Sequence, residues 1–247
     1  MTEQKPHIDH EVNPAVSVDC SLVGFDGKQL KVLLVKQTGE ATEEEGEAVY
    51  KLPGSLIYMD EDLDEAAQRV LRELTGLKSI ALRQFKAFGS KNRTSNPKDV
   101  RWLERFHSLP NQIDRIVTIA YWAFLKIGRK NNVLSHKYEA CWVPIKEVKE
   151  LAFDHKQILE ESLEYIRQYL EVSPALLFDL LPRKFTIAQL RKLYEQVYDK
   201  PYDVRNFHKR VSMMHYVVPL EEKELGVRHR AARYFRFDRV IYNQSRT

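Results

Sequence analysis

Between Pro53-Gly54 and Gly76 the chain encodes one strongly amphipathic helix, and the rest of the fold has to be arranged around it. Leu63, Ala66, Ala67, Val70, Leu71 and Leu74 recur at the helical period and form a single apolar stripe. Asp62 with Glu65 three residues on predicts a capping box at the start, and Gly76 a stop at the end. Such a stripe predicts a helix laid against a core. The acids Asp60, Glu61, Asp62, Asp64 and Glu65 crowd its beginning, where they complement the helix dipole.

The stretch Leu52 to Leu77 resembles the Nudix box: Gly, five residues, Glu, seven residues, then Arg-Glu-apolar-any-Glu-Glu-any-Gly-apolar. Counted back from Gly76, the Arg falls on Arg69, the outer Glu on Glu61 and the first Gly on Ser55. The three helix glutamates of the pattern fall on Val70, Glu73 and Leu74. Nudix members cleave diphosphate bonds with magnesium or manganese, hard cations that need several oxygen ligands. Residues three and four apart share a helix face, so three carboxylates there would form a cluster. With one left of three, the expectation is a Nudix fold with no catalytic residue, no metal and no cofactor. Glu73 is expected near the surface, paired with Arg69. The alternative is a working hydrolase of nucleoside-diphosphate sugars with a rearranged metal site. The acidic run Glu40, Glu43, Glu44, Glu45 and Glu47 is the reservoir for it, although such a run is ordinarily a solvated loop.

A length of 247 residues allows one large domain or two smaller ones. No apolar run approaches the roughly 20 residues that cross a bilayer, and Met1 to Asn13 lacks the apolar centre of a signal peptide. We therefore expect a cytoplasmic protein without a membrane partner. Cys20 and Cys141 form no C-x-x-C pair and are expected as buried thiols. The eight histidines show no zinc-ligand spacing. Charge is unevenly divided. Residues 176–247 hold 15 Lys and Arg against 8 Asp and Glu, whereas the remainder holds 24 against 27. A basic third on a slightly acidic body predicts two domains and a polyanionic partner for the basic one.

Strands are expected at Val16 to Phe25 and Leu30 to Lys36 around an Asp26-Gly27 turn, at Ile80 to Gly89, at Ile116 to Lys126, and at Cys141 to Ile145. Ile145 to Leu151 reads as a short helix. Asp154 is expected to cap a helix over 155–171 that buries Ile158, Leu159, Leu163, Ile166 and Leu170. The connection from Ser90 to Asp114 is unusually long for a compact domain. It carries Lys91, Arg93, Lys98, Arg101 and Arg105, with Arg115 just beyond, and Trp102 and Phe106 among them. Such a mixture suits a phosphate or sugar ligand, or is simply a surface excursion.

Ser173-Pro174 ends the 155–171 helix. Thr186 then caps a helix to about Tyr198, and Asp203 caps another over 204–214. Short strands at Val217 to Leu220 and Ala232 to Phe237 complete the order of a winged helix-turn-helix. Phe207, Val211 and Met214 give the second helix an apolar face, leaving Arg205, Asn206, His208, Lys209 and Ser212 outward. Arginine suits guanine edges and asparagine adenine edges in the major groove. Arg228, His229, Arg230 and Arg233 in the wing, and Arg183 and Lys184 before the first helix, are candidates for phosphate or minor-groove contact. The same surface would also suit an acidic protein.

Together the decayed box, Leu151-Ala152-Phe153-Asp154-His155, the run Leu181 to Thr186, and Arg205 to Arg210 resemble the Nudix-related transcriptional regulators. That family includes repressors of NAD synthesis and regulators of arabinose use, and the stretch Ala67 to Leu77 is more similar to the latter. The resemblance implies an α+β fold with an N-terminal tail (1–14), a Nudix-like effector domain (15–174) and a winged helix-turn-helix (175–247). It implies a homodimer on a double-stranded DNA operator, answering a pentose, sugar phosphate or ADP-ribose-type effector. Lys51, Phe88, Arg115, Tyr121, Asp154 and His155 are the expected effector contacts.

Overall fold

The computed structural model describes residues 10–36, 50–97, 99–100, 103, 115–127, 139–226 and 231–245. The acidic 39–48 loop, Lys98, Arg101, Trp102, Arg105, Phe106, Arg228, His229 and Arg230 lie outside them.

The long strand β1 (Val12–Phe25) is the spine of a mixed seven-stranded sheet. It pairs antiparallel with β2 (Leu30–Lys36) and β4 (Gly54–Tyr58), and parallel with β6 (Val117–Lys126). Antiparallel to these, β3 (Tyr50–Lys51) and β7 (Cys141–Pro144) join β2, and β5 (Arg83–Phe88) joins β6. Asp26 holds the β1–β2 turn by accepting from the Lys28 and Gln29 amides, and Gly27 takes the positive φ of 93°.

Strand alternation gives the sheet two apolar faces. On one, Val18, Cys20, Leu22, Leu33, Val35 and Tyr121 pack against helix α1 (Leu63–Thr75). Its capping box forms between Asp62 and Glu65, and Gly76 closes it at φ 78°. On the other lies α2 (His155–Val172), with Ile158, Leu159, Ile166 and Leu170 buried and the Ser162 and Ser21 hydroxyls bonded at 2.7 Å.

After α2, the 3-10 turn Pro174–Leu180 inserts Leu177, Phe178 and Leu180 into the core. Strand β8 (Phe185–Thr186) leads into α3 (Ile187–Val197), where Thr186 and Gln189 form a second capping box. Helix α4 (Val204–Ser212) follows, with Asp203 accepting from the Asn206 amide at 2.9 Å. Strands β9 (Val217–Lys223) and β10 (Arg233–Phe237) form a small sheet with β8, and α5 (Arg239–Gln244) closes the described chain.

Several expectations need correction. The helix foreseen at 145–151 is a three-residue 3-10 turn, Ile145–Glu147, because Val148 is already extended. Strand β5 begins at Arg83 rather than Ile80. The strand expected to end at Leu220 continues as far as Lys223, paired with Arg233. Cys141 is half-buried, unlike the fully buried Cys20. Asp154 stands at the cap position of α2 but makes no capping bond, because its carboxylate is turned to Arg93. Helix α5 had gone unforeseen. Its signal was Asp238, whose side chain accepts from the Val240 and Ile241 amides.

Candidate functional site

The box helix accounts for its own glutamates. Val70 and Leu74 are apolar and buried in the core under the sheet. Glu73 points outward and meets Arg69 at 3.3 Å. Glu61 grips the same guanidinium with both oxygens, at 2.8 Å to Nε and 2.5 Å to Nη2. The Glu61 carboxylate also accepts the Tyr58 amide at 2.7 Å, and Arg69 donates to the Leu56 carbonyl at 3.0 Å and covers the Tyr58 ring. Planar, bidentate pairs of this kind fix geometry as well as charge. What survives of the box thus locks the β4–α1 connection. Among the described residues no three His, Cys, Asp or Glu side chains converge as a metal site.

The polar centre lies instead on the α2 side of the sheet. Asp19 sits in the most apolar stretch of β1 and is 3% exposed. Arg93 donates to its Oδ2 at 2.7 Å and, from the other end of the guanidinium, to Asp154. His155 accepts the Leu52 amide on Nδ1 at 3.0 Å, which leaves Nε2 to carry the ring proton toward Asp19 Oδ1 at 3.3 Å. Burial pushes the Asp19 carboxyl up, but His155 and Arg93 outweigh it and hold the group well below the usual range. Lys51 is buried beside them and donates to the Gly54 carbonyl at 2.9 Å. Its desolvation pulls the ammonium down to about 7, against the upward pull of Asp19 and Asp99. Asp99 accepts the Phe153 amide at 2.9 Å, and its burial raises the carboxyl. Gly54 is required here, because a Cβ would fall 1.7 Å from Asp19 Oδ1.

These groups enclose about 20 Å³ of open space bordered by Ser17, Leu56, Phe153 and Ile116. That is room for about one water. Donors and acceptors stand side by side around it, with an aromatic ring on one wall. Such a lining can hydrogen-bond a hydroxyl-rich ligand, and a larger one would have to part it.

Of the expected effector contacts, Lys51, Asp154 and His155 are brought together in this cluster. Phe88 is instead core, packed among Leu52, Ile158 and Leu159. Tyr121 points to the opposite face, where its hydroxyl donates to Asp64 at 2.6 Å. Arg115 is exposed and donates to the Gly89 carbonyl. Sequence reasoning missed Asp19 and Asp99 and counted Arg93 only among the loop cations. Asp19 did carry a signal, the one acid in a strand rich in Val and Leu. Nothing local separates Arg93 from its neighbours.

On α4, Phe207 and Val211 are buried while Arg205, Asn206, His208, Lys209 and Ser212 are all exposed on the outer side. Arg210 instead lies over the Tyr194 and Tyr202 rings. Arg183 is exposed, Lys184 pairs with Glu222 at 2.6 Å, and Arg233 is tied within the wing to Glu221 at 2.8 Å.

Against known families, residues 13–162 match the NUDIX domain and residues 177–237 the NrtR DNA-binding winged helix domain. A curated relative, the ADPR responsive transcriptional repressor NtrR of Acinetobacter baylyi, is 24% identical over 91% of this chain and 82% of its own length. The fold is similar to that of Shewanella oneidensis NrtR, at 24% identity and a TM-score of 0.64, over 90% of this chain and 94% of the other. The same protein complexed with a 27mer DNA gives 0.63. A MutT/nudix family protein from Enterococcus faecalis gives 0.55 at 22% identity, over 92% of this chain and 88% of that one.

Proposed function

Because the chain belongs to the NUDIX family and joins that domain to an NrtR-type DNA-binding winged helix, we propose that it is a ligand-responsive transcriptional repressor. In this reading residues 15–174 sense and residues 175–247 bind DNA, in the cytoplasm, as a homodimer on a palindromic operator. The observation that carries it is α4, a short helix whose inner side is core and whose outer side presents Arg205, Asn206, His208, Lys209 and Ser212 together. The Acinetobacter baylyi relative is described as a repressor responsive to ADP-ribose, which supports a ligand of that type. The comparisons give no support to a pentose as such, although the mixed donors and acceptors around Asp19 suit sugar hydroxyls generally. Burial of Val70 and Leu74 supports a sensor that does not hydrolyse its ligand.

A gel-shift titration on a palindromic sequence from the neighbouring upstream DNA tests the reading. Retardation should weaken steeply with salt as phosphate contacts release counterions. ADP-ribose should lower DNA affinity at least fivefold, whereas arabinose and ribose should leave it unchanged. No retardation at low salt, or a flat salt dependence, would sink the DNA assignment. Release of phosphate-containing products from ADP-ribose with magnesium, abolished by Glu73→Gln, would establish the hydrolase instead.

A further inference from the structure

The turn between α3 and α4 sets where the recognition helix points, and it is held from the sensor side. Arg167, in the second half of α2, donates from Nε to the carbonyl of Val197, the last residue of α3, at 2.8 Å. Carbonyls at a helix end lack partners within the helix, and a guanidinium there is favourable both as donor and as charge. Two residues on, Asp199 takes a left-handed φ of 47° and meets Lys146, from the turn after β7, at 2.7 Å. Within the helical pair, Glu195 accepts the Tyr202 amide at 3.2 Å and binds Arg191, which donates to the Tyr202 carbonyl. The turn therefore moves with the end of α3, and the end of α3 is pinned to α2.

The other end of α2 is built into the polar cluster. Asp154 and His155 begin the helix, and they bind Arg93, Asp19 and the Leu52 amide. Twelve residues of unbroken helix, about 18 Å at 1.5 Å per residue, separate His155 from Arg167. The cluster leaves about 20 Å³ open, so a sugar-sized molecule would have to displace part of its lining, which includes Arg93.

Resting on the reading that this cluster receives the effector, we infer that α2 carries its state to the recognition helix, and that Arg167 is the positioning residue where it does so. Parting Arg93 from Asp154 frees the first turn of α2 to shift. The shift reaches the α3–α4 turn through the Arg167 bond to Val197, and the exposed Lys146–Asp199 pair adds little.

The test needs no ligand. Amide hydrogen exchange of residues 198–203 is measured in full-length wild type, Asp154→Asn, Arg167→Gln and the double variant. Arg93→Lys serves as a second way to break the cluster, and Arg167→Lys as the conservative substitution. Breaking the cluster should speed exchange at 198–203 at least threefold. With Gln at 167 that response should vanish, and with Lys it should largely return. A merely stabilising Arg167 would give two independent effects that multiply, and that outcome overturns the proposal. So does a cluster variant, folded by circular dichroism, whose turn exchanges as in wild type. If ADP-ribose changes neither DNA affinity nor this exchange in wild type, the ligand assignment fails while the cycle still decides the role of Arg167.

Discussion

Gly54 and Lys51 hold tightly constrained positions in the Nudix domain. A methyl group at Gly54 would fall on a carboxylate already fixed by Arg93 and His155, and 2.9 Å from the Val18 carbonyl, so neither neighbour can withdraw cheaply. Gly54→Ala should cost about 2–3 kcal/mol in urea unfolding, the scale of overpacking in a core. Lys51 makes stability depend on pH. Its folded value of about 7 lies below the ordinary 10.5, so above pH 7 the unfolded chain holds a proton that the folded chain has released. Stability should therefore rise from about pH 7 to pH 9, by at most about 2–3 kcal/mol, and be flat in this respect below pH 7. Lys51→Met should remove that slope. The buried Cys20 thiol, pushed above its ordinary 9.0, acts in the opposite sense at higher pH, so the comparison belongs below that value.

At the scale of elements, side-chain capping marks where α3 and α4 begin, though not α2. Thr186 and Asp203 both stand where their side chains accept from an amide three residues on, and both were legible in the sequence. Thr186→Ala should destabilise the fold by about 1 kcal/mol in thermal or urea unfolding. On α4, the inner residues answer for folding and the outer ones for binding. Arg205→Ala or Asn206→Ala should leave stability within about 0.5 kcal/mol, as for surface changes generally. If they read bases, each should weaken operator binding by about 1–3 kcal/mol and relax preference at one position. Lys209→Ala should instead weaken all sequences alike and flatten the salt dependence. Equal losses on operator and random DNA for Arg205→Ala would assign it to the backbone.

Over the whole molecule, one apolar core runs from the seven-stranded sheet into the winged helix. Val23 and Trp122 on the sheet, Ile166 and Leu170 on α2, Leu177 in the linking turn, and Leu190, Leu193 and Phe207 beyond it belong to a single buried cluster. Shared burial couples the stabilities of the two parts. Leu170→Ala should lower both by about 2–5 kcal/mol, the range for truncating a buried leucine, and leave one transition by tryptophan fluorescence and circular dichroism. Two separated transitions in wild type would refute the coupling.

The box helix, its capping box, its glycine stop and its apolar stripe were all written locally, because caps and period depend only on residues a few positions apart. The same holds for the helix-turn-helix order and for the outward residues of α4. Loss of carboxylates at Val70 and Leu74 was equally plain. Only tertiary structure decided which face of the sheet each side chain joined. It placed Phe88 and Tyr121 in two separate cores, turned Asp154 from a cap into a partner of Arg93, and drew Asp19 from β1, Arg93 and Asp99 from the long connection, and His155 from α2 into one buried cluster. The physical reason is that a buried charge is tolerated only where opposite charges and hydrogen bonds surround it, and those partners lie up to 136 positions away, as with Asp19 and His155.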